Sequence, residues 1–295
     1  MTGAPLTAQR ISDINTGFKT SFRGGFAGVT PQWAEVATRV PSNARTEKYS
    51  WLGAWPRIRE WLGDRVVNEL MGHEYSITNK RFEGTVKVNG DDMRDDQLGI
   101  YGPMFEEQGR ATAAFPDELV FAMLAAGAAT KCYDGQYFFD TDHPVAGGTA
   151  SNHGGGAGPA WFLLDTSRAL KPLIFQDREA FDFVALDNPN DPTVFFKNEF
   201  VYGTTGRCNA GYGFWQMAYM SKQDLNPAGY KAARSAMGGL KDDTGRPLGI
   251  RGTLLVHGPS LEGDALQTLV AETNAGGGKN IWAGTAKPLL VPWLD

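Results

Sequence analysis

The sequence predicts an α+β protein, on three observations. Residues 82–88, "FEGTVKV", alternate apolar and polar positions with the period of two that a half-buried strand requires. Two stretches, 103–129 and 227–238, open on a proline and continue with apolar residues at helical spacing. The later part of the chain then mixes strand-like runs with helical ones around what reads as a shared core.

Taken in order, residues 1–44 carry scattered apolar positions (Ile11, Ile14, Phe18, Phe22, Phe26, Val29, Trp33, Val36) interrupted by Gly17, Gly24, Gly25 and Gly28. Glycine weakens a helix interior by about 1 kcal/mol relative to alanine. The segment therefore reads as an arm lying on something else, with a short helix at 31–38 begun by Pro31. Next, "EKYSWLGAWPRIREWLGDRVV" sets Trp51, Trp55 and Trp61 close together, with Arg57 and Arg59 between them. "EYSIT" precedes the alternating strand and suggests a hairpin turning near Asn79–Lys80. An isolated hairpin is marginal in water, so this aromatic-rich excursion is expected to lie on a neighbour.

Asp91 and Asp92 are suited to a helix start. Pro103 with Glu106 and Glu107, and Pro116 with Asp117 and Glu118, repeat one device: proline first, acids at the positive end of the macrodipole. A long helix is expected over 103–129, broken or kinked near Pro116, with Leu119, Val120, Met123 and Leu124 as its apolar stripe. Strands are expected at 172–176, 180–185, 195–202 and 214–220. A helix is expected at 227–238, capped by Asn226, and a strand at "TLLVHG". Ser260 should cap a helix over "SLEGDALQTLVAE", and "KPLLVPWL" should end the chain as a strand.

Composition excludes several function classes. At 295 residues the chain suffices for one large domain or two ordinary ones. Cys132 and Cys208 make no framework and no CxxC, and are expected as free buried thiols. The N-terminus lacks the basic and apolar regions of a signal peptide, and no run approaches the roughly 18 apolar residues of a membrane span. A soluble chain made inside the cell, without membrane partners, is expected. The net charge is −5 and the densest basic stretch, "RIREWLGDR", is cut by Glu60 and Asp64. A tight polyanion binder would show a basic face. The 37 glycines, 8 tryptophans, 9 tyrosines and 17 phenylalanines suggest irregular loops and large anchors, some of them intermolecular.

The stretch that invites a chemical reading is "YFFDTDHPV", where Asp140, Asp142 and His143 follow Asp134. It does not fit the calcium-loop pattern, and His73, His153 and His257 are isolated, so zinc spacing is missing. Asp side chains next to a His–Pro step suit a strand, an Asx-turn and an exit. "HGGGAG" at 153–158 lacks the Lys–Ser/Thr of a phosphate loop and reads as a flexible connection. There is no GxSxG and no HExxH. No catalytic, cofactor or metal residue is expected.

Longer phrases are more specific. "REWLGDR", "PDELVFAMLAAG", "CYDGQYFFDTDHPV", "GPAWFLLDTSRALKPLIFQ", "GYGFWQMAY", "GRPLGI", "TLLVHGPSLEGDAL" and "KPLLVPWL" run in family order from about residue 17 to the end. In them the chain resembles the major head (capsid) subunits of Mu-like tailed phages and prophages. His257–Gly258 in "VHGPS" departs from the expected apolar pattern. The resemblance implies a Hong Kong 97-like capsid fold: an N-terminal arm (1–44), an extended loop (45–90), a mainly peripheral domain with its spine helix (91–220) and a mainly axial domain (221–295). It also implies self-assembly into hexamers and pentamers of an icosahedral head around double-stranded DNA, which is held non-specifically. A scaffold/protease, a portal and decoration proteins are the implied partners, and the virion, assembled in the bacterial cytoplasm, is the implied location. A cellular nanocompartment shell of the encapsulin kind is the alternative with the same fold. Trp51, Trp55, Arg57, Arg59, Trp61, Phe18 and Phe22 are the expected intersubunit contacts.

Overall fold

The computed structural model describes residues 7–50, 52, 74–95, 99–145, 147–188, 190–242, 245–274 and 276–295. Helix α1 (Ala8–Ala27) is followed by α2 (Trp33–Val36) and strands β1 (Ala37–Pro41), β2 (Thr46–Lys48), β3 (Ser76–Thr78) and β4 (Lys80–Asn89). The helical layer continues with α3 (Gly90–Asp95) and α4 (Tyr101–Ala125). Short strands β5 (His143–Val145), β6 (Gly148–Ala150), β7 (His153–Gly156) and β8 (Trp161–Leu164) lead to the long strand β9 (Leu173–Leu186). Helix α5 (Pro192–Lys197) joins β9 to the equally long β10 (Glu199–Tyr212). Then come β11 (Ala218–Lys222), α6 (Pro227–Gly238), β12 (Leu254–His257), α7 (Glu262–Leu269) and β13 (Lys287–Leu290).

Two sheets organise these elements. The first, in order β1-β9-β10-β4, carries α1 and α4 on one face; the second, β13-β12-β8-β11-β7, is built mainly from later residues but takes β7 and β8 from 153–164. Strands β9 and β10 pair antiparallel from Leu173↔Tyr212 outward to Leu186↔Val201, with a bulge near Thr205–Cys208. The two expected strands at 172–176 and 180–185 are thus one. Residues 195–197 are helical, not the start of a strand, because Pro192 sets the first turn and Asn198 ends it in the left-handed region (φ 52°).

Several local expectations need correction. Helix α1 runs unbroken through Gly17, Gly24 and Gly25, begun by the Thr7 hydroxyl, which accepts from the Arg10 N–H. Gly25 is a spacer, as is Gly109 of α4: a methyl on Gly25 would overlap the Glu106 carbonyl of α4, and one on Gly109 would overlap the Phe22 carbonyl of α1, whereas Gly17 and Gly24 have open space around them. Close helix contact outweighs the poor propensity of Gly25 and Gly109. Helix α4 also continues through Pro116, with Val120, Phe121 and Leu124 beyond it fully buried, so packing offsets the lost hydrogen bond. Strand β3 pairs with β2 and β4 pairs with β10, so 74–89 is not a hairpin. Asp117 is no helix-start acid: its carboxylate accepts the Trp33 N–H of α2 at 2.6 Å. Nor does the Ser260 side chain cap α7; it donates to Asp295 at 2.8 Å. The glycine run 153–156 is strand β7, where Gly156 (φ 99°) lies against the Lys222 backbone so tightly that only glycine fits.

Other readings hold. Helix α6 is capped by the Asn226 side chain, which accepts from Ala228 and Gly229, and Pro227 is its first residue. In β4 Phe82, Gly84 and Val86 are half-buried and Val88 is buried, the face expected from the alternation. The core lies between the sheets around Phe138, Trp161, Tyr212 and Trp215, with a second cluster under α1.

Candidate functional site

Among the described residues, the constellation suited to chemistry follows α4. Residues 131–137 form a tight turn: the Cys132 N–H donates to Gln136, and Gly135, at φ 87°, supplies the left-handed position. Asp134 closes it as an Asx-turn, its Oδ1 accepting the Gln136 N–H at 3.0 Å and the Cys132 thiol at 3.1 Å. Its Oδ2 faces His143 Nδ1 at 2.7 Å. Asp140 makes a second local turn, accepting from the Tyr137 and Thr141 amides. Asp142 is exposed.

His143 is fully buried and stacks on Trp215, with centroids 3.8 Å apart and planes 6° from parallel. Its Nε2 faces Asn152 Oδ1 at 3.2 Å. The orientation of Asn152 is set by backbone: its Nδ2 donates to Phe138 and Trp215 carbonyls, and its Oδ1 accepts the Asp140 N–H. Asp134 and Asn152, each a short way along the chain from His143, and Trp215, far from it in sequence, therefore meet on one imidazole.

Burial alone would raise the Asp134 pKa, but hydrogen bonds from His143 and Cys132 outweigh it and hold the carboxyl below its ordinary value. Burial, reinforced by the Asp134 charge, pushes the Cys132 thiol far up; burial beside Asp177 pushes Cys208 up to about 12. Both thiols are free and buried, a setting that disfavours the nucleophilic thiolate. The donor atoms of Cys132, Asp134 and His143 lie within 4.8 Å of one another, and so could hold a metal ion. In the hydrogen-bonded arrangement they instead satisfy one another, as the reading of this stretch as a structural turn requires. Sequence reasoning found Asp134, Asp140 and His143 but missed Cys132, Asn152 and Trp215 as partners. Only tertiary folding brings Asn152 and Trp215 to the ring.

The expected contact residues divide. Phe18 and Phe22 sit on α1 within the chain's own second cluster: Phe18 stacks on Phe105 at 4.4 Å and Phe22 meets Phe183 at 5.0 Å. Asn15 ties the helix down, donating to Asp187 and accepting from the Tyr202 hydroxyl. Trp51, Trp55, Arg57, Arg59 and Trp61 lie outside the described residues.

A buried, self-satisfied polar cluster, a long helix laid along a long-stranded sheet, and a second sheet at its side define a structural subunit of the Hong Kong 97-like capsid class. The chain is similar to the subunit in the procapsid of bacteriophage JBD30, with a TM-score of 0.86 and 44% identity over 98% of this chain and 100% of that one. It belongs to the Mu-like prophage major head subunit gpT family, which it matches over residues 11–294. The major capsid protein of Escherichia phage Mu is 41% identical over 287 residues, 94% of each chain. The JBD30 capsid decorated with minor capsid protein trimers is likewise similar, at a TM-score of 0.80, 32% identity and 99% and 100% coverage. The family is structural, not enzymatic.

Proposed function

We propose that copies of this chain assemble, through hexamers and pentamers, into the icosahedral head that encloses double-stranded DNA in a Mu-like tailed phage or prophage. The observation that carries the reading is the agreement, over almost the whole of both chains, with a subunit of an assembled procapsid. Such full-length relatives among phage heads favour a head over a cellular compartment. The sheet β1-β9-β10-β4 with α4 suits the peripheral domain and the sheet β13-β12-β8-β11-β7 with α6 and α7 the axial one. Residues 1–44 are the arm and 45–90 the extended loop, each giving its last strand, β1 and β4, to the peripheral sheet, with Trp51, Trp55, Arg57, Arg59 and Trp61 as the loop's contacts with a neighbouring copy. Phe18 and Phe22 act in the same role indirectly, by seating α1 so that its outer face meets a neighbour.

The acidic balance fits a container wall, because a net charge of −5 gives it little grip on DNA that must later leave. A scaffold/protease and a portal are the partners that assembly calls for. Minor capsid trimers like those on the JBD30 capsid are a further partner at the outer surface. Co-expression with the neighbouring head genes, followed by electron microscopy, tests the reading: closed particles support it, and a chain that stays in small soluble species contradicts it.

A further inference from the structure

The far end of the β9–β10 hairpin exposes more apolar surface than the fold explains. Phe195 and Phe196 in α5 are 72% and 79% exposed and pack edge to face against each other, centroids 5.1 Å apart. They are not on a loose loop. Val194, beside them, packs inward on the cluster beneath α1. The turn before α5 is closed by the Asp191 carboxylate, which accepts the Asn188 N–H at 3.0 Å. The turn after it is closed by Asn198, whose carbonyl accepts the Gly90 N–H at 2.8 Å. The two rings are therefore held outward on a rigid support.

The neighbouring strands extend the patch. Phe183 and Ala185 of β9 face the core under α1, so Val184 and Leu186 point to the opposite face of the sheet, where they are 52% and 48% exposed. Val201 of β10 stands directly across from Leu186 and shares that face. The rim carries both signs, with Lys197 on α5 and the Lys87–Glu199 pair at 2.8 Å beside Asp187 and Asp191. Two copies of such a surface can meet without facing like charge.

We propose that the Phe195–Phe196 tip, with the strip of Val184, Leu186 and Val201, is a contact surface for a second copy of this chain within the assembled shell. The proposal rests on the shell-building reading above. Area decides the occupant. The two rings together expose on the order of 300 Å², well short of the roughly 800 Å² per partner of a stable binary interface. A separate soluble protein held by this tip alone would bind weakly. A copy already held by other lattice contacts supplies the missing affinity through effective concentration. The isolated chain is accordingly expected not to pair through this tip.

The test compares the wild-type chain and the Phe195→Ser/Phe196→Ser variant, each co-expressed with the neighbouring head genes. The variant is expected to keep the wild-type circular dichroism and melting temperature, since both rings face solvent, while closed particles fall by about tenfold or more. A folded variant that yields particles at the wild-type level overturns the proposal. Replacing Phe196 with the photo-reactive p-benzoylphenylalanine gives a second reading that does not depend on the double variant. Irradiated particles should show cross-links between two copies of this chain. Cross-links confined to a decoration protein, or to the same copy, overturn it. A wild-type chain that forms no particles overturns the shell reading itself and this proposal with it, so the two failures are told apart.

Discussion

Gly25 of α1 lies directly against the carbonyl of Glu106 in α4, with no room for a single methyl between them. The reciprocal contact, Gly109 against the Phe22 carbonyl, makes the helix pair mutually interlocked. Gly25→Ala or Gly109→Ala should therefore lower unfolding free energy by about 1–3 kcal/mol, as overpacking does. Gly17 has open space around its Cα, so Gly17→Ala should instead raise stability by about 0.5–1 kcal/mol. Urea unfolding of the three variants checks both signs; equal effects at 17 and 25 would contradict the spacer role.

Asp134 answers to both Cys132 and His143, and its pKa is lowered in the folded chain. A depressed carboxyl contributes stability that is present above its unfolded pKa and is lost as pH falls through the folded value. Asp134→Asn should cost about 1–3 kcal/mol near neutral pH, because it weakens the hydrogen bonds the buried carboxylate makes with His143 and Cys132. Its gap to wild type should narrow below the ordinary carboxylate range. A gap independent of pH would contradict this. Asp140→Asn, which touches only local amides, should cost about 1 kcal/mol. The same cluster is expected to carry no metal; stoichiometric metal by elemental analysis, absent from His143→Ala, would reverse that expectation.

Burial and the raised thiol pKa values give the cysteines a simple expectation. Cys132 and Cys208 should resist a thiol reagent in the folded chain and react together on denaturation. A ladder of linked subunits on non-reducing electrophoresis, collapsing with reductant, would contradict it.

What was legible beforehand depended on how local its cause was. The alternation of 82–88 and the Asn226–Pro227 start of α6 are written in adjacent residues, and both elements form where they were expected. The β4–β10 pairing joins residues more than a hundred positions apart, so the nearer "EYSIT" looked like its partner. The glycines of α1 looked like breakers because propensity is local, whereas the α4 backbone that Gly25 admits is not. His143 was visible as a turn residue, but its ring is held by Asn152 and stacked on Trp215, which no spacing rule connects. The class of protein was legible for a different reason: whole phrases matched a family.

Trp55 tests the extended-loop reading. If it anchors on a neighbour, Trp55→Ala should leave a soluble, folded chain that fails to close particles, with a cost of about 2 kcal/mol or more per contact. If it is intrachain core, the isolated chain should lose about 3–5 kcal/mol. Circular dichroism with size-exclusion chromatography separates the two, and normal heads from the variant would remove Trp55 from any interface.

The central claim, that this chain is the wall of a phage head, is tested most directly by cryo-electron microscopy of particles from cells expressing it with its neighbouring head genes. The account predicts closed icosahedral shells whose wall, at side-chain detail, is this chain in rings of six and five, with Phe195 and Phe196 covered by another copy. Particles whose wall is a different protein, or a chain recovered only as unassembled subunits, would contradict it.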